Sequence, residues 1–171
     1  MKNFNRKNRA LSLFVLCLAL AGGGAAFAEK KLASKGQPVI KVMLAGDTER
    51  KGERVALDKA GMVKPGEIIN WTIESVNEGN GAARDYKAVG QIPAGTSFVG
   101  GSAAAKGASI TYSIDGGKTF SARPTVEEKQ IDGSTRRVLA PVSSYTQLRY
   151  EWSTPLETGQ KLSASYQVLV K

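Results

Sequence analysis

Apolar and polar residues trade places at every second position through much of this chain, which is the spacing of a β-strand with one face buried. The clearest case is residues 67–76, where Ile69, Trp71 and Ile73 alternate with Asn70, Thr72 and Glu74. This predicts a half-buried strand with Trp71 in the core. Residues 147–152 gather Leu148, Tyr150 and Trp152 on one face, and residues 161–170 gather Leu162, Ala164, Tyr166, Val168 and Val170. Residues 39–44 form another strand, with Ile40, Val42 and Leu44 together. Residues 84–92 and 96–99 follow as strands, and residues 55–59 are a weaker candidate.

Turn chemistry separates these segments. Pro65-Gly66, Asn77-Glu78-Gly79-Asn80-Gly81 and Pro93-Ala94-Gly95 are punctuation of the kind that ends strands. Two hairpins are expected where an Asp-Gly step lies between alternating runs. In one, residues 110–114 and 118–121 flank Asp115-Gly116-Gly117; in the other, residues 126–131 and 135–139 flank Asp132-Gly133. Residues 102–107, with Ala103-Ala104-Ala105, read as a mobile loop. About nine short strands without a helical period between them predict an all-β fold, an immunoglobulin-like antiparallel β-sandwich. An eight-stranded outer-membrane barrel also alternates, but aromatic girdles are missing here and the chain closes on Val170-Lys171.

The first 28 residues follow another pattern. Lys2, Arg6, Lys7 and Arg9 form a basic start, residues 10–21 are apolar apart from Ser12, and Ala26-Phe27-Ala28 has the small-x-small form of a cleavage site. The expectation is a signal peptide at 1–28, a flexible arm at 29–37 and one domain at 38–171. The apolar run is short of the ~20 residues of a membrane span, so no span is expected once the leader is cut. Cys17 lies inside the run behind Leu16 rather than at its end, which disfavours a lipoprotein signal, and Arg6 and Arg9 are not adjacent as in a twin-arginine signal. The implied address is periplasmic or extracellular.

Composition sharpens this reading chiefly by exclusion. The chain has no histidine, and its single cysteine lies in the leader. Disulfide scaffolding, Ser-His-Asp and Cys-His catalysis and most transition-metal sites are thereby removed. Cutting at Ala28 would take four basic residues and no acid, lowering the net charge from +9 to +5. The remaining charges are mixed along the chain, as in Glu49-Arg50-Lys51-Gly52-Glu53-Arg54, without the basic stripe and interleaved aromatics of a nucleic-acid surface. No nucleic-acid partner is expected.

The order of the turns carries a resemblance. Val63-Lys64-Pro65-Gly66-Glu67, Asn70-Trp71-Thr72-Ile73, Val76-Asn77-Glu78-Gly79, Ile92-Pro93-Ala94-Gly95-Thr96-Ser97-Phe98-Val99 and Gly101-Ser102 resemble the bacterial conserved-repeat family labelled "domain of unknown function 11". The closing segments, Leu148-Arg149-Tyr150-Glu151-Trp152 and Leu156-Glu157-Thr158-Gly159, are similar as well, so the resemblance spans residues 55–170. It implies an immunoglobulin-like domain of secreted and surface proteins, with Pro65, Gly66, Trp71, Asn77, Gly79, Pro93, Gly95 and Trp152 as structural positions. One departure stands out: where similar sequences commonly carry an acid ahead of the second turn, this chain has Gly90.

Candidate chemistry is sparse. Asp47, Asp58, Glu67, Glu74, Asp85, Asp115 and Glu151 could in principle pair as they do in glycosidases, although their spacing does not favour it. Asp115 and Asp132 each bring one carboxylate to a turn, whereas calcium takes six to eight oxygens. Neither cofactor nor metal is expected. Most aromatics fall on the apolar faces of strands, and Tyr145, beside Ser143-Ser144, is the one expected at the surface. These readings point to a non-enzymatic exported module contacting an envelope or surface protein through strand edges or loops. The alternative is a carbohydrate-binding module that holds polysaccharide on exposed aromatics such as Tyr145.

Overall fold

The computed structural model describes residues 36–171. The signal peptide and most of the arm expected from the sequence lie outside the described residues. Eleven strands and one single-turn helix follow in order: β1 (Ile40–Arg50), β2 (Glu53–Ala56), α1 (Leu57–Ala60), β3 (Ile68–Asn77), β4 (Lys87–Gln91), β5 (Thr96–Phe98), β6 (Ala104–Ala105), β7 (Ala108–Ser113), β8 (Thr125–Lys129), β9 (Thr135–Leu139), β10 (Gln147–Trp152) and β11 (Lys161–Val170). All named strand pairs are antiparallel. The fold is all-β.

The strands form three sheets. The largest runs β2-β1-β3-β11-β5, with β6 also on β11; the second runs β4-β10-β7; the third is the β8–β9 hairpin alone. Ile69 and Ile73 of β3, Phe98 of β5 and Ala164, Tyr166 and Val168 of β11 meet Ala88 of β4 and Leu148, Tyr150 and Trp152 of β10 in one buried cluster. The alternation read in the sequence has its cause here, because β10 and β11 each give one whole face to this core. Two tyrosines tie the sheets across it. Tyr150 donates its hydroxyl to Ser165 O at 2.8 Å, and Tyr166 donates to Gln91 O at 2.6 Å. Burial opposes the phenolate, pushing the Tyr166 hydroxyl up to about 12.

The expected structural positions have identifiable work. Lys64-Pro65-Gly66-Glu67 and Pro93-Ala94-Gly95-Thr96 each close a turn by a backbone hydrogen bond, and Gly66 and Gly95 stand at its third position with φ of 89° and 81°. A turn of that form needs positive φ there, which glycine adopts without steric cost. The two turns also hold the end of β11: Gly66 N donates to Val170 O and Lys171 N to Gly95 O, both at 2.9 Å. At the opposite end of β3, Asn77 is fully buried. Its Oδ1 accepts from Val39 N and Gly79 N, and its Nδ2 donates to Gly81 O and Leu156 O. Gly79 has no room for a side chain, since a Cβ would meet the backbone of Gln37 and Val39. Trp152 is buried and donates Nε1 to Lys106 O at 3.0 Å.

Several expectations need correction. The first strand continues to Arg50, and its shared face of Ile40, Val42 and Leu44 is not covered: Val42 and Leu44 are 55% and 60% exposed. The six-stranded sheet is wider than the three-stranded one packed on it, so β1 overhangs. For the same reason Trp71 is only partly buried, packing on the margin of the core rather than within it. Residues 55–59 divide between the end of β2 and α1. Residues 102–107 are no simple loop, because β6 pairs with β11 and Ser102 Oγ donates to Val99 O at 2.6 Å. Gln37, the last residue of the predicted arm, is already fixed, its N donating to Asn80 Oδ1 at 2.8 Å.

Of the two expected hairpins only β8–β9 is regular, with Gln130 and Ser134 closing its loop. After Asp115-Gly116-Gly117 the chain returns to β7 by a single bridge, Tyr112 to Ser121. The loop is held instead by the Asp115 carboxylate, which accepts from Thr119 Oγ1 at 2.6 Å, Ser113 Oγ at 2.7 Å and Thr119 N at 2.9 Å. The Thr119 hydroxyl, followed by the Thr119 amide and the Ser113 hydroxyl, keeps this carboxyl well below the usual carboxylate range. A carboxyl lowered on folding adds stability above its unfolded value, near pH 4, and loses it as pH falls toward the lowered one. Asp115→Asn is therefore expected to flatten the fall in Tm on acidification below about pH 4, measured by thermal melts across an acid series.

Candidate functional site

The overhang of β1 leaves Val42 and Leu44 uncovered on the inner face of the large sheet. β1 pairs with β3 along residues 40–48, but β2 covers its other edge only along residues 47–50. Among the described residues no strand pairs with the outer edge of residues 40–45, an open edge closed at one end by β2 and α1. Backbone groups in an antiparallel strand point alternately to either side. Glu78 N donates to Val39 O at 2.8 Å, which directs odd-numbered residues toward β3 and leaves Ile40, Val42 and Leu44 to aim their N–H and C=O outward.

An apolar cleft of about 420 Å³ continues the open edge at its closed end, lined by Leu44, Ala45, Gly46, Ala56, Leu57, Asp58 and Trp71. Gly46 is required there, because a Cβ would approach the Leu57 side chain to 2.5 Å and the Trp71 ring to 2.9 Å. Trp71 Nε1 is buried without a hydrogen-bond partner among the described residues. Arg50 anchors the end of α1, whose Leu57 and Asp58 line the cleft: its Nη1 donates to Ala60 O, and its Nη2 donates to Met62 O at 2.8 Å and Glu67 Oε2 at 3.1 Å. The Lys64 amide, with Arg50 behind it, keeps the Glu67 carboxyl below its ordinary value. Lys51 and Gly52, with φ of 55° and 83°, make the tight turn that lets β2 fold back and stop where it does.

Edges of this kind are ordinarily blunted by charge, proline or a covering element. Here Lys41 is the only charged residue among 40–45, and it lies 3.5 Å from Glu78. Val42 and Leu44 would each gain on the order of 1 kcal/mol from full cover, since about half of each side chain is already shielded. The edge offers backbone hydrogen bonds and an apolar row together, the two elements of recognition by strand addition.

The remaining candidates sort differently. Tyr145 is not the exposed aromatic expected: it is half-buried, 4.9 Å from the Tyr112 ring and 6.0 Å from that of Phe98. The turn from Val142 to Ser144 folds it back onto the core, a tertiary effect that its polar neighbours conceal. Among the seven acids, Asp85 and Glu151 share a cleft of about 270 Å³. Glu151 is bridged there by Lys87 at 3.4 Å and Arg149 at 2.5 Å, which leaves the cleft neutralised. Asp47 accepts from Asn70 Nδ2 at 2.9 Å, and Glu74 pairs with Lys161 at 3.1 Å. Among the described residues no cluster of acids could hold a metal ion. Sequence reasoning missed the open edge because alternation reveals that a strand has two faces, not which of them a second sheet covers.

No protein-family model matches the chain, and neither does any curated protein or solved structure.

Proposed function

We propose that this chain is an exported, non-enzymatic module that makes protein–protein contacts at the cell envelope by accepting an extended strand on β1. The domain is read as an immunoglobulin-like β-sandwich of the conserved-repeat kind. Support comes from the leader pattern of residues 1–28, the turn order between residues 55 and 170, and two facing sheets around one core. The observation that carries the reading is the open edge at residues 40–45, where Val42 and Leu44 stay exposed beside an apolar cleft. The carbohydrate alternative loses the feature that motivated it, since Tyr145 packs against Phe98 and Tyr112.

Cell fractionation combined with a photocrosslinking residue at position 42 tests the proposal. A specific adduct with an envelope protein is expected from position 42 and not from position 163, on the opposite face of the large sheet. Leu44→Lys should reduce that adduct at least ~10-fold, the effect of removing one good apolar anchor, while leaving Tm within about 2 °C. Hydrolysis of a glycan or ester panel by the purified protein, lost on changing one carboxylate, would overturn the reading.

A further inference from the structure

A second feature has no partner strand among the described residues. The β8–β9 hairpin forms a sheet of its own, and apart from Val126 and Val138, which are half-buried, its strand residues are exposed. Ile131 is fully exposed at its tip, and Leu139 is 56% exposed on its outer strand. Within the hairpin Gln130 N donates to Ser134 O at 2.8 Å, so even-numbered residues face inward and Thr135, Arg137 and Leu139 direct their backbone groups to the open side. Such a finger displays strand edges and an apolar tip together.

We infer that the β8–β9 hairpin of a second copy of this chain occupies the β1 edge, an inference that rests on the strand-accepting role just proposed. The match is one of length and phase. β9 has five residues against the six of the open edge. Laid antiparallel to β1, it sets Ile40 opposite Leu139, Val42 opposite Arg137 and Leu44 opposite Thr135, and all six residues are ones whose backbone groups face outward. Lys41 then faces Val138 and Met43 faces Arg136, so no like charges oppose each other. The ladder ends with Ser134 opposite Ala45, short of β2, and the turn beyond it brings Ile131 to the end of the edge where Leu57 and Trp71 form the cleft.

A two-fold pairing of β1 with itself, with Met43 on the axis, uses the same edge but leaves Ile131 at the hairpin tip exposed. The hairpin contact joins different surfaces on the two copies, so it propagates head to tail into chains or rings rather than stopping at a dimer.

Sedimentation of the purified exported protein over a concentration series tests this, using Ile131→Asp to spoil the finger and Leu44→Lys to spoil the edge. Both positions are exposed, so melts of the variants should match the parent. The parent is expected to grow beyond dimer with concentration, and each variant alone to associate at least ~10-fold more weakly. An equimolar mixture of the two should recover association but stop at a 1:1 pair, because one intact finger meets one intact edge. A parent that stops at dimer, or a mixture no better than its components, overturns the inference in favour of a two-fold contact. A parent that stays monomeric while position 42 still crosslinks to a different envelope protein overturns it too, and leaves the strand-accepting role standing. Loss of every position-42 adduct removes both.

Discussion

Gly90→Asp is expected to leave no folded domain. Gly90 is buried on the inner face of β4, and a Cβ built there would lie 2.5 Å from Tyr166 Cε1 and 3.0 Å from Tyr166 Cζ. The tyrosine has nowhere to withdraw, because it is 2% exposed and its hydroxyl is fixed on Gln91 O. Overpacking of this sort costs ~1–3 kcal/mol for a methyl group alone. A buried carboxylate without a partner adds several more, which together approach the whole stability of a domain. Urea unfolding should show Gly90→Ala destabilised by ~2 kcal/mol and Gly90→Asp without a native baseline. Adding Tyr166→Leu to Gly90→Ala should recover part of its cost, since the two side chains contend for one volume. Normal unfolding of Gly90→Asp would mean that β4 does not pack as described. At this position the ring of Tyr166 fills the space in which an acid would stand.

Asn77→Ala is the second large effect. The side chain, itself fully buried, satisfies two amides and two carbonyls drawn from the chain before β1, the turn after β3 and the loop before β11. Truncation strands these groups, and each buried group left unpaired costs ~1–3 kcal/mol. A net loss of about 3 kcal/mol, seen as a fall of roughly 10 °C in Tm, is expected. Asn77→Asp should be no better, because its oxygens would face Gly81 O and Leu156 O where the amide now donates. Hydrogen exchange offers a finer check: the amides of Val39 and Gly79 should lose protection more than those of β10.

The segments read correctly from the sequence share a physical trait. β3, β10 and β11 lie inside their sheets with a strand on either side and a second sheet over one face, and the β8–β9 hairpin has a complete turn. Leu148, Tyr150 and Trp152 are buried as their alternation demands, at 0%, 0% and 4% exposure. What escaped reading depends on the relative widths of the sheets. Val42 and Leu44 alternate as well as Tyr150 does, yet they lie beyond the reach of the β4-β10-β7 sheet. β6 is two alanines, too short to carry a period. The Asp115 loop resembled a hairpin because turn residues look alike whether the returning arm forms a ladder or one bridge. Arg50, which anchors the end of α1, gave no signal in a run of mixed charge; its role follows only from where Ala60, Met62 and Glu67 converge.

β3 has a place between the strands at the two ends of the described chain. It is paired on one side with β1 and on the other with β11. Gly36 leaves beside Gly81, near the finish of β3, whereas Lys171 leaves beside Gly95 and the Pro65-Gly66 turn, near its start. Tension applied between those exits would therefore slide β1 and β11 along β3 lengthwise. Under such shear the rungs of both ladders bear the load together instead of opening one after another.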